Sequence, residues 1–239
     1  MTVFKNKHGA TILLAAALSV SSNSLFSQAF TKYNYAAQSG ASLNYKIEPS
    51  EKEVEGSPYY NDEWKEATIY NKDNTYAEVG QLKYNVHIDE LIFVFKGVQY
   101  IIPAKEKIKR FKLGEEEFIG AHDGTKYSFY KVLVPGDKML LLKGFQCSIV
   151  KGQPSKGYIP ATKDKLVLKE HVFILKPGND VVEINPKKGH HFLEYTYGKM
   201  DEVEAYIKDN KLKMKNLDDL TAVINHFNTL PEDAVGPSK

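Results

Sequence analysis

The sequence predicts an α+β fold, in which antiparallel β-meanders, forming two sheets or a partly open barrel, are followed by about three C-terminal helices. Three observations carry that expectation. From residue 56 to 103 apolar and polar residues alternate, and short Asn/Asp-rich or Gly-containing tetrads interrupt the alternation. A second alternating region fills residues 108–184, and after Asn185 the period changes from that of a strand to that of a helix.

Taken in order, residues 1–29 read as a signal peptide. Lys5 and Lys7 precede an apolar run over 10–20, and Ser27-Gln28-Ala29 fits a small-x-small cleavage site before Phe30. The run has 11 residues where a membrane span needs ~20, so no transmembrane segment is expected in the mature chain. The only cysteine, Cys147, is far from that point, so neither a lipid anchor on the mature N-terminus nor an internal disulfide is expected. Residues 30–55 are poor in aliphatics and read as a loosely ordered leader, within which 41–47 has the pattern of an edge strand.

The β-rich region covers 56–184. Strands are expected at 66–70, 76–86, 91–95 and 98–102, separated by Asn71-Lys72-Asp73-Asn74, by His87-Ile88-Asp89-Glu90 and by a reversal at Gly97, with Pro103 as the stop. Strand 108–113 follows, then a hairpin of 118–121 with 126–134 across Asp123-Gly124, the residue pair a tight turn favours. Strand 138–150 and strand 166–176 flank the longest internal loop, 151–165, which holds two prolines, two glycines and four lysines. The final strand is 180–184.

The helical region covers 185–230. Asn185-Pro186 is a helix start, with the proline where its missing N–H is harmless. This first helix reaches Glu194, the second runs over 201–209, and the third is capped by Asn216 with Asp219 three residues on. Leu217, Leu220, Val223, Ile224 and Phe227 form the apolar stripe of the third. Residues 231–239 read as a frayed tail.

Charge excludes one class of partner. The chain carries 32 basic and 30 acidic residues, and removal of 1–29 takes two lysines and no acid. A near-zero mature charge lacks the basic excess with which proteins release counterions from nucleic acid, so no nucleic-acid partner is expected. Cys147 lies in an apolar strand with Gln146 and Ser148 beside it, which makes it a small buried hydrophobe rather than a nucleophile.

Candidate chemistry is sparse, and no cofactor motif is present: neither a P-loop, a dinucleotide fingerprint nor a G-x-S-x-G elbow occurs. His190 and Glu194, four apart, would share a helix face and are the best metal candidates, but a zinc site needs a third protein ligand. His87 with Asp89 and Glu90, and His122 with Asp123, sit in turns, where such residues commonly bond the backbone. The 15 tyrosines, 12 phenylalanines and one tryptophan leave three ligand-binding candidates. Trp64, before the first strand, is a core plug or a stacking platform for a sugar ring. Tyr84 lies on a strand, and Tyr158 stands in the lysine-rich loop, where it would meet an anionic partner.

Four stretches, GSPYYNDEW at 56–64, LKYNVHIDEL at 82–91, FYKVLVPGDKMLLLKGF at 129–145 and IKDNKLKMKNLDDLTAVINHFN at 207–228, together resemble a family of uncharacterised exported proteins from the Bacteroidota. The family pattern runs "GSPYL…DW", "LRYN…DEL", "FYEVLV.G…LL" and "IK.NKLKLK…DL..L..YYN". This chain departs from it at Lys83, where arginine is usual, and at His226-Phe227, where two tyrosines are usual. The resemblance spans about residues 56 to 230. It implies a cell-envelope location in a bacterium with two membranes, periplasmic or extracellular, and brings no catalytic residues.

Three functions remain open on the sequence. The first is a non-enzymatic envelope module that binds another protein or an extracellular ligand. The second is a carrier or sensor with an aromatic pocket between sheet and helices. The third is a hydrolase using loop histidines and carboxylates.

Overall fold

The computed structural model describes residues 54–231 apart from Lys96, Pro177 and Tyr197. The expected signal peptide, the edge strand at 41–47 and the tail beyond Pro231 lie outside the described residues. Eleven strands form a single mixed sheet: β1 (Val54–Glu55), β2 (Lys65–Asn71), β3 (Tyr76–Asn85), β4 (Glu90–Phe95), β5 (Val98–Ile101), β6 (Ile108–Leu113), β7 (Glu116–His122), β8 (Tyr127–Val134), β9 (Leu140–Val150), β10 (Asp164–Leu175) and β11 (Val182–Ile184). Helices α1 (Met200–Asp209) and α2 (Leu217–Thr229) close the chain. A 3-10 turn at Lys105–Lys107 and a 3-10 segment at Pro186–Tyr195 complete the elements.

The hydrogen-bonded order is β5-β4-β3-β2-β6-β7-β8-β9-β10-β1, with β11 also on β10. The two expected meanders therefore share one ladder rather than forming two sheets. The join is β2, which pairs with β3 on one side and with β6 on the other. After β5 the chain returns through the 3-10 turn, and the Lys72 N–H bonds the Lys107 carbonyl, which seats β6 on the free edge of β2.

The sheet is coiled, because one run of chain touches distant parts of it. β1 lies parallel to β10, Tyr59 bridges to Asn85 of β3, and β2 continues along β3. Val54 and Glu55 thus belong to the sheet, where the sequence suggested only leader. Coiling encloses a core drawn from β2, β3, β4, β6, β7, β8 and β9. Its centre is aromatic: Phe111 stacks on Phe118 with ring centroids 4.7 Å apart, and Tyr84 and Phe129 meet Phe111 edge-on. Cys147 is buried at the rim of this core, and burial raises its thiol pKa.

A second core lies under the helices. Val134, Met139, Leu141 and Ile174 from the sheet meet Phe192, Val203, Ile207, Leu220, Val223, Ile224 and Phe227. Asn216 caps α2 by accepting from the Asp219 N–H at 2.7 Å, as its sequence position predicts. Asn228 fastens the far end of α2 to the sheet: its side chain donates to the Met139 carbonyl at 2.9 Å and accepts from the Met139 N–H at 3.0 Å. A Cβ on Gly136 would lie 2.1 Å from the Asn228 amide, so the preceding turn needs glycine there. Side chains from the sheet and from the helices thus pack together between the two layers.

The first expected helix is a 3-10 segment with a kink at Lys188. Asn185 still caps it, accepting from the Lys187 N–H at 2.9 Å. Only the neighbouring pair Phe192-Leu193 is buried there, and two adjacent apolar residues do not supply the i, i+3, i+4 stripe that holds an α-helix against a core. Among the described residues no helix is long and apolar enough to cross a membrane.

Candidate functional site

A groove of about 230 Å³ opens on the sheet between β8, β9, β10 and β11. Strand alternation places its side chains: residues two apart on a strand share a face, so Leu142 and Gly144 of β9 stand opposite Phe173 and His171 of β10. Gly144 permits the close approach of two rings. A Cβ there would lie 2.5 Å from the Phe173 ring and 3.2 Å from that of Tyr130. With no side chain between them, Tyr130 and Phe173 meet edge to face with centroids 5.0 Å apart.

The polar side of the groove comes from a neighbouring strand. Glu183 of β11 pairs opposite Phe173, which brings its carboxylate 2.8 Å from Nδ1 of His171. With Nδ1 turned to Glu183, Nε2 is shielded from solvent and has no partner among the described residues. Asp123, Lys126, Ser128 and Gln146 line the remainder. Slight burial alone would raise the Asp123 pKa, but it falls to about 2, because its carboxylate accepts from the Thr125 hydroxyl and from the backbone N–H groups of Lys126 and Thr125. Burial, followed by the charges of Asp123 and Asp89, raises the Tyr130 hydroxyl well above its ordinary value.

Behind Ser128 stands a second cluster, built on the turn between β3 and β4. Asp89, in the left-handed region at φ 57°, accepts from Tyr84 at 2.7 Å and from Lys105 and Ser128 at 2.9 Å each. Asp and Asn tolerate that backbone conformation better than other non-glycine residues. Next to it, burial pushes the Glu90 carboxyl up to about 7; the charges of Asp89 and Glu106 add to the rise, while Lys105 opposes it.

Since the folded value of Glu90 lies above the unfolded one near 4.5, the folded chain holds its proton to higher pH. Its contribution to stability is full below about pH 4.5 and is lost as pH rises to about 7. Glu90→Gln, which keeps the neutral shape, is expected to stabilise the fold by about 1–2 kcal/mol at pH 8 and to change little at pH 4. Urea melts at both pH values check this, and an equal effect at the two would show that Glu90 is not held protonated.

The sequence candidates are not brought together. Tyr84 is buried in the main core with its hydroxyl on Asp89. Trp64 is half-buried outside the core clusters, with the Lys83 ammonium 4.7 Å over its ring; the same lysine lies 4.8 Å over Tyr59. Tyr158 is fully exposed at the end of the β9–β10 hairpin. His190 and Glu194 do not share a face as expected. At three residues per 3-10 turn it is His191 that approaches Glu194, at 3.9 Å, with both side chains exposed. His190 instead borders a shallow depression with Glu204, Lys208 and Lys211. His87 turns its Nδ1 to the Cys147 carbonyl at 3.2 Å, and Asp123 is occupied by its own turn. Among the described residues no three His, Cys, Asp or Glu side chains gather as a metal site would require.

His171, Glu183 and Tyr130 carry the groove, and sequence reading missed all three. The one available signal was Gly144, a lone glycine inside an apolar strand, which marks a close approach. Comparisons with protein-family models, with curated proteins and with solved structures find no match to this chain.

Proposed function

We propose that the protein is a non-enzymatic binding module of a bacterial cell envelope, exported through a leader at residues 1–29, and that the groove beside Gly144 seats a sugar-sized ring, free or ending a larger glycan. One observation carries the reading: paired aromatic rings stand beside a His171–Glu183 pair in one groove. Ring faces take the apolar side of a sugar, and the Glu183 carboxylate, the Lys126 ammonium and the Gln146 amide around them match its hydroxyls. The size agrees, since about 230 Å³ lies below the ~300–1,000 Å³ of sites that enclose drug-sized ligands.

Hydrolysis is less well supported. The Ser128 hydroxyl is given to Asp89, burial raises the Cys147 thiol, and the Tyr130 hydroxyl is held protonated, so the groove lacks an activated nucleophile beside His171. Titration of the labelled protein with mono- and disaccharides, followed by amide NMR, is expected to give saturable shifts centred on Gly144, His171 and Phe173. Glu183→Gln, at an exposed position, is expected to weaken that binding about tenfold without altering the fold. Shifts confined to other surfaces, or none with any saccharide, would overturn the assignment.

A further inference from the structure

β9 and β10 run on together beyond the groove and end in a hairpin arm, flanked at Asp164 and Lys165 by β1. The loop between them, the longest internal loop of the sequence, is laced across by hydrogen bonds. Asp164 accepts from the Gly152 N–H at 2.8 Å and from Lys151 at 2.9 Å; Gln153 and Thr162 are joined by bonds of 2.8 and 2.9 Å; Lys156 and Ile159 exchange two backbone bonds of 3.1 Å. Between the last pair lie only Gly157, at φ 61°, and Tyr158, the arrangement of a two-residue hairpin turn. The ladder fixes what the tip presents. Tyr158 is fully exposed, Ile159 is two-thirds exposed, and Ile149, Val150 and Leu168 are exposed on the stem.

Charge on the arm is one-sided. Residues 149–169 contain Lys151, Lys156, Lys163, Lys165 and Lys169 against Asp164, which pairs with Lys151, while Lys165 meets Glu55 of β1 at 3.0 Å; the cations still outnumber these acids, whereas the whole chain is only +2. We propose that this arm docks on the surface of an anionic lipid bilayer, with Tyr158 and Ile159 entering the headgroup layer and the lysines behind them meeting lipid phosphates. Tyrosine is at home at that depth, where its ring is apolar and its hydroxyl wet. Lysine stems lie along apolar surface while their ammonium groups stay among the headgroups. An acidic peptide fits less well, because an apolar tip ahead of a cationic stem suits an interface. The pre-ordered ladder lowers the entropic cost of docking. This inference stands independently of the groove and its ligand.

Sedimentation with vesicles containing anionic phosphatidylglycerol, compared with pure phosphatidylcholine vesicles, tests it. Any leader is common to all variants, so only differences between them count. Lys156→Glu is expected to weaken partition into the anionic vesicles by at least fivefold at low salt, since one lysine near such a surface contributes about that factor. Tyr158→Ser/Ile159→Ser is expected to weaken it tenfold or more, and added salt to weaken every form. Tyr158→Trp is expected to shift its emission to the blue on binding and to be quenched by brominated lipid, a change that wild type, with Trp64 alone, does not show. If the tip double variant binds like wild type, or if an acidic peptide binds as tightly as the vesicles and displaces them, the arm is not a membrane-docking element.

Discussion

Phe118→Ala is expected to lower stability by about 3–5 kcal/mol. Phe118 is fully buried, stacks on Phe111 at a 2° interplanar angle, and meets Tyr60 edge-on at 5.2 Å and Tyr84 at 6.0 Å. Removing its ring takes away apolar burial and leaves a cavity between strands that reach this point from different parts of the sheet. The cavity cannot collapse easily, because Phe111 and Tyr84 are held by β6 and β3 through separate ladders. A domain with a total stability of about 5–15 kcal/mol would lose a large share of it. Phe118→Leu, which refills most of the volume, is expected to cost markedly less. Denaturant midpoints measure both, and a loss under about 1 kcal/mol for the alanine variant would mean that the coiled sheet does not close on this ring.

The second large effect is expected for Asp89→Ala, also about 3–5 kcal/mol. Three donors lose their acceptor at once: the Tyr84 hydroxyl, the Ser128 hydroxyl and the Lys105 ammonium. The Tyr84 hydroxyl and the Lys105 ammonium are shielded from water, so most of their lost hydrogen bonding is not replaced. The substitution also sets alanine at a left-handed φ of 57°. Asp89→Asn retains an acceptor and tolerates that backbone conformation, and is expected to cost about half as much. Because Ser128 lines the groove, Asp89→Ala is also expected to broaden the amide signals of β8 around it. Equal stability losses for the two variants would show that the charge of Asp89, rather than its hydrogen bonds, holds the cluster.

The strands were legible because each depends on local pattern. The hairpin at Asp123-Gly124 and the strand over Ile108–Leu113 lie where alternation and turn residues put them, and the α2 cap at Asn216 follows from a side chain that can reach an N–H three residues on. The first helix failed on the same grounds: Asn185-Pro186 signalled a start correctly, but the two adjacent apolar residues that follow do not hold an α-helical stripe. His190 and Glu194 were paired on a helical period that the segment does not adopt.

The groove lay beyond such reasoning. His171 and Glu183 are 12 residues apart and meet only because β11 folds back along β10. Ser128 and Asp89 are 39 residues apart and meet because the sheet coils until the β3–β4 turn reaches β8. Sequence alone determined the order of strands and helices, the turns, the helix cap and the burial of Cys147, all of which depend on periodicity and on the reach of a few bonds. Tertiary structure alone decided that the two meanders form one coiled sheet, which turn residues become buried acceptors, and where a ring and an imidazole share a wall. Those outcomes depend on register between distant strands, which is set by how the whole core packs.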